Sequence, residues 1–287
     1  MTPFELVEPR TLEEAFSLLD QGDPAIRPIG GGTALMLMMK AQFFQPVRLV
    51  SLRWLGEPFR GMRVDGDVFR VGAMTTFSEL EHSPQVAWQL PAIVQAMPAL
   101  ANVRVRNVAT VGGNLAHADP HLDLPPIWMA LDAEVLILGP RGERTSAVAD
   151  LFAGYYENTL TDGELIAELR APLRPTWRTT YVKVTTRALH DWPALGLALS
   201  LDLQGDHIRD VRVVLSGALE KATRLVATEC VMRGAAVSDA LMRLAGDAAT
   251  AEAAIESDNR GSADYKSHLL RVHLARAIRF LASSNHG

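Results

Sequence analysis

The sequence predicts an α+β protein of two domains, and three features lead there. Its 287 residues exceed the roughly 100–200 of one domain. Runs with apolar residues at helical spacing are interspersed with short strand-like runs bounded by turn residues. Finally, Pro172 and Pro175, followed by Thr176 and Trp177, interrupt the chain ahead of three consecutive strand-like runs, which places a boundary between 1–176 and 177–287.

In chain order, Thr11-Leu-Glu-Glu14 has the spacing of a capping box before an amphipathic helix that ends near Leu19 and is closed by Gly22–Pro24. A strand over Ala25–Ile29 runs into Gly30-Gly31-Gly32, and Ala34–Lys40 is predicted to be a helix whose Leu and Met side chains fill a core. Arg48–Ser51 is a strand, and Met62–Val71 is a hairpin turning at Asp65-Gly66-Asp67. Thr76-Phe-Ser-Glu79 is a second capping box, and Pro84–Leu100 is helical with breaks near Pro91 and Pro98. Ala109–Pro126 is expected to be irregular, Ile127–Leu131 helical, and Ala133–Leu138 and Leu165–Ala171 strands. Beyond the boundary, Thr179–Thr185, Ala194–Leu203 and Ile208–Leu215 are predicted to form a three-stranded antiparallel sheet. Helices near Ala222–Arg233, Ser238–Ala245 and Ser262–Leu281 complete a small α+β domain, the last carrying Leu269, Leu270, Leu274, Ile278 and Leu281 at helical spacing.

Bulk composition removes several functions. A net charge of -5 gives no basic face for nucleic acid. The longest apolar stretches, such as Leu35–Met39, are far short of the roughly 20 residues of a membrane helix, so no membrane span is expected. Met1–Leu6 lacks a basic region followed by an apolar run, which makes the cytoplasm the default location. A single cysteine, Cys230, rules out an internal disulfide and a cysteine-held cluster within this chain.

Chemistry concentrates in two glycine loops. In Ile29-Gly-Gly-Gly-Thr33 the glycines let backbone N–H groups turn inward and approach an anion with no Cβ in the way, although a plain tight turn is an equal competitor. The loop fits neither the G-x-G-x-x-G fingerprint nor the P-loop, which needs Lys-Ser/Thr after its last glycine. The second loop, Thr110-Val-Gly-Gly-Asn114, opens Leu115-Ala-His-Ala-Asp-Pro-His-Leu-Asp123, and two such loops can grip one pyrophosphate from two sides. His117, Asp119, His121 and Asp123 fall at every second position, which raises a rival: a metal-dependent hydrolase with these four as ligands. Against it, Pro120 breaks a straight strand, and His82, His190, His207, His268, His273 and His286 are scattered singletons. The acids then serve as acceptors for sugar hydroxyls or as caps.

Together, Pro28-Ile-Gly-Gly-Gly-Thr-Ala-Leu35 and Thr110-Val-Gly-Gly-Asn-Leu-Ala-His-Ala-Asp-Pro-His-Leu-Asp-Leu-Pro125 resemble the FAD-binding loops of the xanthine dehydrogenase family, and most of all the separate medium subunits typified by aerobic carbon monoxide dehydrogenase. Gly163–Pro172, Tyr181-Val-Lys183 and Leu215-Ser-Gly-Ala218 continue the likeness in order. The resemblance implies a two-lobed FAD domain of the vanillyl-alcohol-oxidase (PCMH) type over 1–176, with lobes of about 1–58 and 59–176, and a flavoprotein C-terminal domain over 177–287. By position, it implies that Ile29, Gly30, Gly31, Gly32, Thr33 and Ala34 hold the diphosphate with Thr110, Val111, Gly112, Gly113 and Asn114, through backbone N–H groups and the Thr110 and Asn114 side chains. Asp123 then accepts from a sugar hydroxyl, Leu100 and Ile166 flank the isoalloxazine, and Lys183 stands near its polar edge. A large molybdopterin subunit, carrying the molybdenum cofactor, and a small subunit with [2Fe–2S] clusters are the implied partners. They pass electrons to noncovalent FAD on this chain, and from there to NAD, oxygen, a quinone or another acceptor. No side chain is expected to be catalytic. Thr33-Ala34 stands where carbon monoxide dehydrogenases usually show His-Ser, and the cysteines of the benzoyl-CoA reductase branch are missing. Asp191 lies near a family position that influences the acceptor.

Overall fold

A computed structural model describes residues 2–19 and 22–283, so that Met1 of the opening segment and His286 lie outside the described residues. The chain begins with β1 (Glu5–Val7), α1 (Leu12–Leu19), β2 (Ile26–Ile29), α2 (Thr33–Lys40) and β3 (Arg48–Ser51). Their strands form a parallel sheet in the order β1-β3-β2. Thr11 Oγ1 accepts from Glu14 N at 3.2 Å, as a cap should, while the Glu14 carboxylate accepts from Arg10 N, one residue before the position a capping box uses. α2 corrects the sequence expectation: of its apolar side chains only Met39 is buried, and Leu37 is 66% exposed. A helix that is apolar all round, set beside the edge strand of a three-stranded sheet, has too little protein around it to cover more than one side.

The second lobe contains β4 (Met62–Asp65), β5 (Val68–Gly72), α3 (Phe77–His82), α4 (Pro84–Gln89), α5 (Pro91–Leu100), α6 (Val103–Arg106), α7 (Val111–His117) and α8 (Leu124–Ala130). It continues with β6 (Glu134–Gly139), β7 (Gly142–Ala147), β8 (Phe152–Gly154), β9 (Glu157–Asn158) and β10 (Leu165–Pro172). An antiparallel sheet runs β4-β5-β10-β6-β7, with Leu165–Leu169 of the central strand buried at every position. The Thr76 capping box is present in full. Pro91 does end the preceding helix and starts α5, where its missing N–H costs nothing, but Pro98 is accommodated inside α5. The segment 109–126, expected to be irregular, supplies α7 and the start of α8. Both are too short to show a helical period.

The C-terminal part holds β11 (Trp177–Val184), β12 (Leu195–Gln204), β13 (His207–Ser216), β14 (Thr223–Arg224), α9 (Val226–Met232), α10 (Asp239–Glu252) and α11 (Ala263–Ser283). Its antiparallel sheet has four strands rather than three, in the order β11-β12-β13-β14. β14 is two residues long, too short to alternate, and it pushes the start of the following helix from Ala222 to Val226. The sheet has two faces with different duties, as period-two side chains require. Leu195, Leu197, Leu199 and Leu201 pack with Leu270, Leu274 and Ile278 of α11, whereas Ala198, Val214 and Tyr181 join the core of the first part. Ion pairs reinforce that junction: Asp132 accepts from Arg174 at 2.6 Å and from Arg212 at 2.9 Å, and both guanidinium groups lie against the Trp177 ring at 4.7 and 5.0 Å.

Candidate cofactor site

The first glycine loop leaves the carboxyl end of β2, the end at which parallel sheets present their ligand crevices. Gly32 has φ +71, a left-handed conformation that turns the chain into α2 and lines up successive N–H groups. Among the described residues, the amides of Gly30, Gly31, Gly32, Thr33 and Ala34 meet no acceptor, the first intrahelical bond of this turn being Met36 N to Gly32 O. This run of unpaired donors at a helix start is a cradle for an anion.

The second loop packs directly against the first. A Cβ on Gly31 would lie 1.8 Å from the carbonyl oxygen of Val108, and one on Gly30 would lie 2.7 Å from Thr110 Oγ1. Only glycine allows two backbones to come this close. The loop rests on the segment after β5: Val111 N donates to Thr75 O, Gly112 N to Ala73 O, and Phe77 N to Ala109 O. Thr110 caps α7 by accepting from Gly113 N at 3.3 Å, and Asn114 N donates to Thr110 O. The N–H groups of Val111, Gly112, Gly113 and Asn114 are therefore all paired within the chain, and Gly112 lacks a side chain because Ala73 Cβ would be 2.5 Å from it. Free amides come from the first loop alone. What the second loop offers is the side chain of Asn114, whose Oδ1 is buried without a partner.

Two other predicted residues, Lys183 and Asp123, meet as a buried ion pair. Lys183 Nζ donates to Asp123 Oδ2 at 3.0 Å and to the carbonyl of Ala99, next to Leu100, at 2.8 Å. Tyr181 donates to Asp123 Oδ1 at 2.7 Å. The Lys183 and Asp123 side chains are 5% and 6% exposed, which explains why burial lifts the Asp123 carboxyl above its ordinary range despite the opposing pull of Lys183 and Tyr181. Ammonium has three donors, so one N–H of Lys183 is left without an acceptor among the described residues. Ile166 is buried at the bulge in β10, opposite Ile137, and makes no hydrogen-bonded link to this network.

Tyr181 was missed as a site residue, although its spacing of two from Lys183 on a strand puts both on one face. Nothing in the sequence points to Trp192, which stacks on His121 at 5.5 Å and receives Arg260 at 5.2 Å on its ring. Trp192 and Arg260 line a cleft of about 340 Å³ with Arg187, His190, Asp191 and Asn259. Asp191 accepts there from Ala188 N, as a turn residue does.

The alternating residues of the metal hypothesis do not share a face. Ala118, with φ +53, ends α7 in a left-handed turn that redirects the chain. His117 faces the Tyr156 ring at 5.2 Å, and burial lowers its pKa against the pull of Asp119. Asp119 Oδ1 accepts from His121 N and Nδ1 at 2.9 and 3.0 Å, and Asp123 belongs to Lys183 and Tyr181. Among the described residues no three His, Cys, Asp or Glu side chains are placed to hold one ion.

Comparison with known proteins gives the same outline. Residues 2–174 match the family described as "FAD binding domain in molybdopterin dehydrogenase", and residues 180–281 match "CO dehydrogenase flavoprotein C-terminal domain". The chain is 32% identical to the carbon monoxide dehydrogenase medium chain of Hydrogenophaga pseudoflava, covering 96% of each. It is also 32% identical to the nicotine 6-hydroxylase medium subunit of Paenarthrobacter nicotinovorans, covering 94% of each. A solved structure of the Hydrogenophaga carbon monoxide dehydrogenase, lacking the Mo-pyranopterin moiety of its cofactor, superposes with a TM-score of 0.93 at 33% identity over 98% of both chains.

Proposed function

Since the chain belongs to the family of FAD-binding medium subunits of molybdenum hydroxylases of the carbon monoxide and xanthine dehydrogenase kind, we propose that it holds one noncovalent FAD between its glycine loops and relays electrons through it. In this proposal the diphosphate lies on the amides of Gly30–Ala34, with Ile29 and Thr110–Asn114 closing the cradle from the other side. The ring extends toward Leu100, Ile166 and Lys183. The division at 176/177 belongs to the same reading, with the ring near the face where the two parts meet.

FAD supplies the exchange between one-electron and two-electron chemistry. This chain's residues bind and orient it: unpaired amides meet the diphosphate charge, Asn114 offers a side-chain amide, and Lys183 brings a cation. The molybdenum cofactor resides on a large partner and the [2Fe–2S] clusters on a small one, with NAD, oxygen or a quinone as the terminal acceptor. Substrate oxidation takes place on the large partner, consistent with relatives named for substrates as unlike as carbon monoxide and nicotine.

The single observation that carries the proposal is the contact of the two loops, Gly31 against Val108 and Gly30 against Thr110, with five unpaired amides on the first loop. Titration of the purified chain with FAD, followed by acid precipitation, tests it. The expected result is stoichiometric quenching of flavin fluorescence and a colourless pellet. No binding would refute the proposal, and colour retained in the pellet would refute the noncovalent link.

A further inference from the structure

The carboxylate of Asp123 stands at the N-cap position of α8 yet makes no capping bond. It points instead at two side chains of β11, and its partners are Tyr181 on one oxygen and Lys183 on the other. Each oxygen of Asp123 thus accepts one of these bonds, and the side chain is 6% exposed. The phenol that holds it is seated by an absence. Gly196 is the register partner of Lys183 on β12, and a Cβ there would fall 2.5 Å from Tyr181 Oη and 2.4 Å from Ser216 Oγ. The chain has thus cleared a space for one hydroxyl, whose contact is a carboxylate, whose other contact is an ammonium with a donor left over.

We infer that Asp123 and Tyr181 are positioning residues for Lys183, the phenol fixing the carboxylate and the carboxylate fixing and partly neutralising the ammonium, so that together they set how strongly Lys183 favours reduced flavin. This rests on the FAD reading above. The groups facing Asp123 are the Lys183 ammonium and the neutral Tyr181 phenol from β11 and the Asp119 carboxylate from its own segment. A cation beside the ring favours the reduced, anionic form, and a neighbouring carboxylate offsets that cation. Removing the phenol hydroxyl leaves a buried carboxylate oxygen without its donor, which favours the neutral carboxyl and frees the charge of Lys183. Tyr181→Phe changes no formal charge, so it alters the flavin only by way of Asp123.

The test is the reduction potential of FAD in the intact complex, read from dye equilibration together with flavin content. Asp123→Asn is expected to raise the reduced-to-oxidised ratio at a fixed potential several-fold, and Lys183→Met to lower it. Tyr181→Phe, and Gly196→Ala by displacing the hydroxyl, are expected to shift it in the direction of Asp123→Asn, and Tyr181→Phe is expected to add nothing in an Asp123→Asn background. Full flavin content with an unchanged potential in both Tyr181→Phe and Gly196→Ala would overturn the inference. So would equal, additive shifts in the double variant. Should Tyr181→Phe fail to fold, Gly196→Ala decides alone. A parent complex without flavin would overturn the FAD assignment itself, and is told apart by its missing visible absorbance.

Discussion

Gly31→Ala is the sharpest single perturbation of the site, because the obstacle to its added methyl is backbone. The new Cβ would lie 1.8 Å from Val108 O, 2.6 Å from Val108 C and 3.0 Å from Ala109 Cα, whereas ordinary contact begins at 3.4 Å. The two loops must separate by roughly the 1.6 Å shortfall, since neither peptide can rotate away like a side chain. Overpacking of this kind costs about 1–3 kcal/mol. With a rigid obstacle on one side, the upper half of that range is expected. Separation also displaces the unpaired amides of Gly30–Ala34 relative to the second loop, so part of the cost falls on the bound state. A loss of about 2–3 kcal/mol corresponds to FAD affinity weakened about 30- to 150-fold. The assay is fluorescence titration with FAD, with thermal melting of apo and loaded protein to collect any part of the cost that appears as lost stability. Gly56→Ala is the control, as a Cβ there meets nothing within 4 Å. If Gly31→Ala bound FAD and melted like Gly56→Ala, the packed-loop account of the site would be wrong.

Two further outcomes follow from the ion pairs. Asp132→Asn is expected to lower stability by about 2 kcal/mol, since Arg174 and Arg212 lose a shared charged acceptor at the junction of the two parts. Differential scanning calorimetry should show the melting temperature falling by roughly 4–8 °C. Glu164 is pulled from the usual 4.5 down to about 2, chiefly by its hydrogen bonds from Arg144. A carboxyl with a lowered folded-state pKa stabilises fully above its unfolded value and loses that contribution as pH falls from about 4.5 toward 2. Denaturation curves across this window should be flatter for Glu164→Gln, and an unchanged slope would show that the pair contributes nothing.

Much of the fold was legible where local chemistry decides it. The Thr76 capping box, the Asp65–Val68 hairpin and the strands at Arg48 and Leu165 lie where turn residues and alternation put them. Elements too short for their period to repeat left no trace: β14 has two residues and α6 four. The core role expected of the α2 side chains holds for Met39 alone, for a different reason. Apolar composition records what a side chain tolerates, and not whether enough protein surrounds it.

The sequence by itself determined the two glycine loops, their order and their family, because an anion cradle needs glycines at defined places and those places are written in consecutive residues. It could not apportion duties between the loops. Only the tertiary structure decided that the amides of Val111–Asn114 are paired at home while those of Gly30–Ala34 stay open, and that Asp123 pairs with Lys183. Donors saturate: an N–H already met by Thr75 or Ala73 is closed to a ligand, and which partner arrives is fixed by chain segments far apart in sequence.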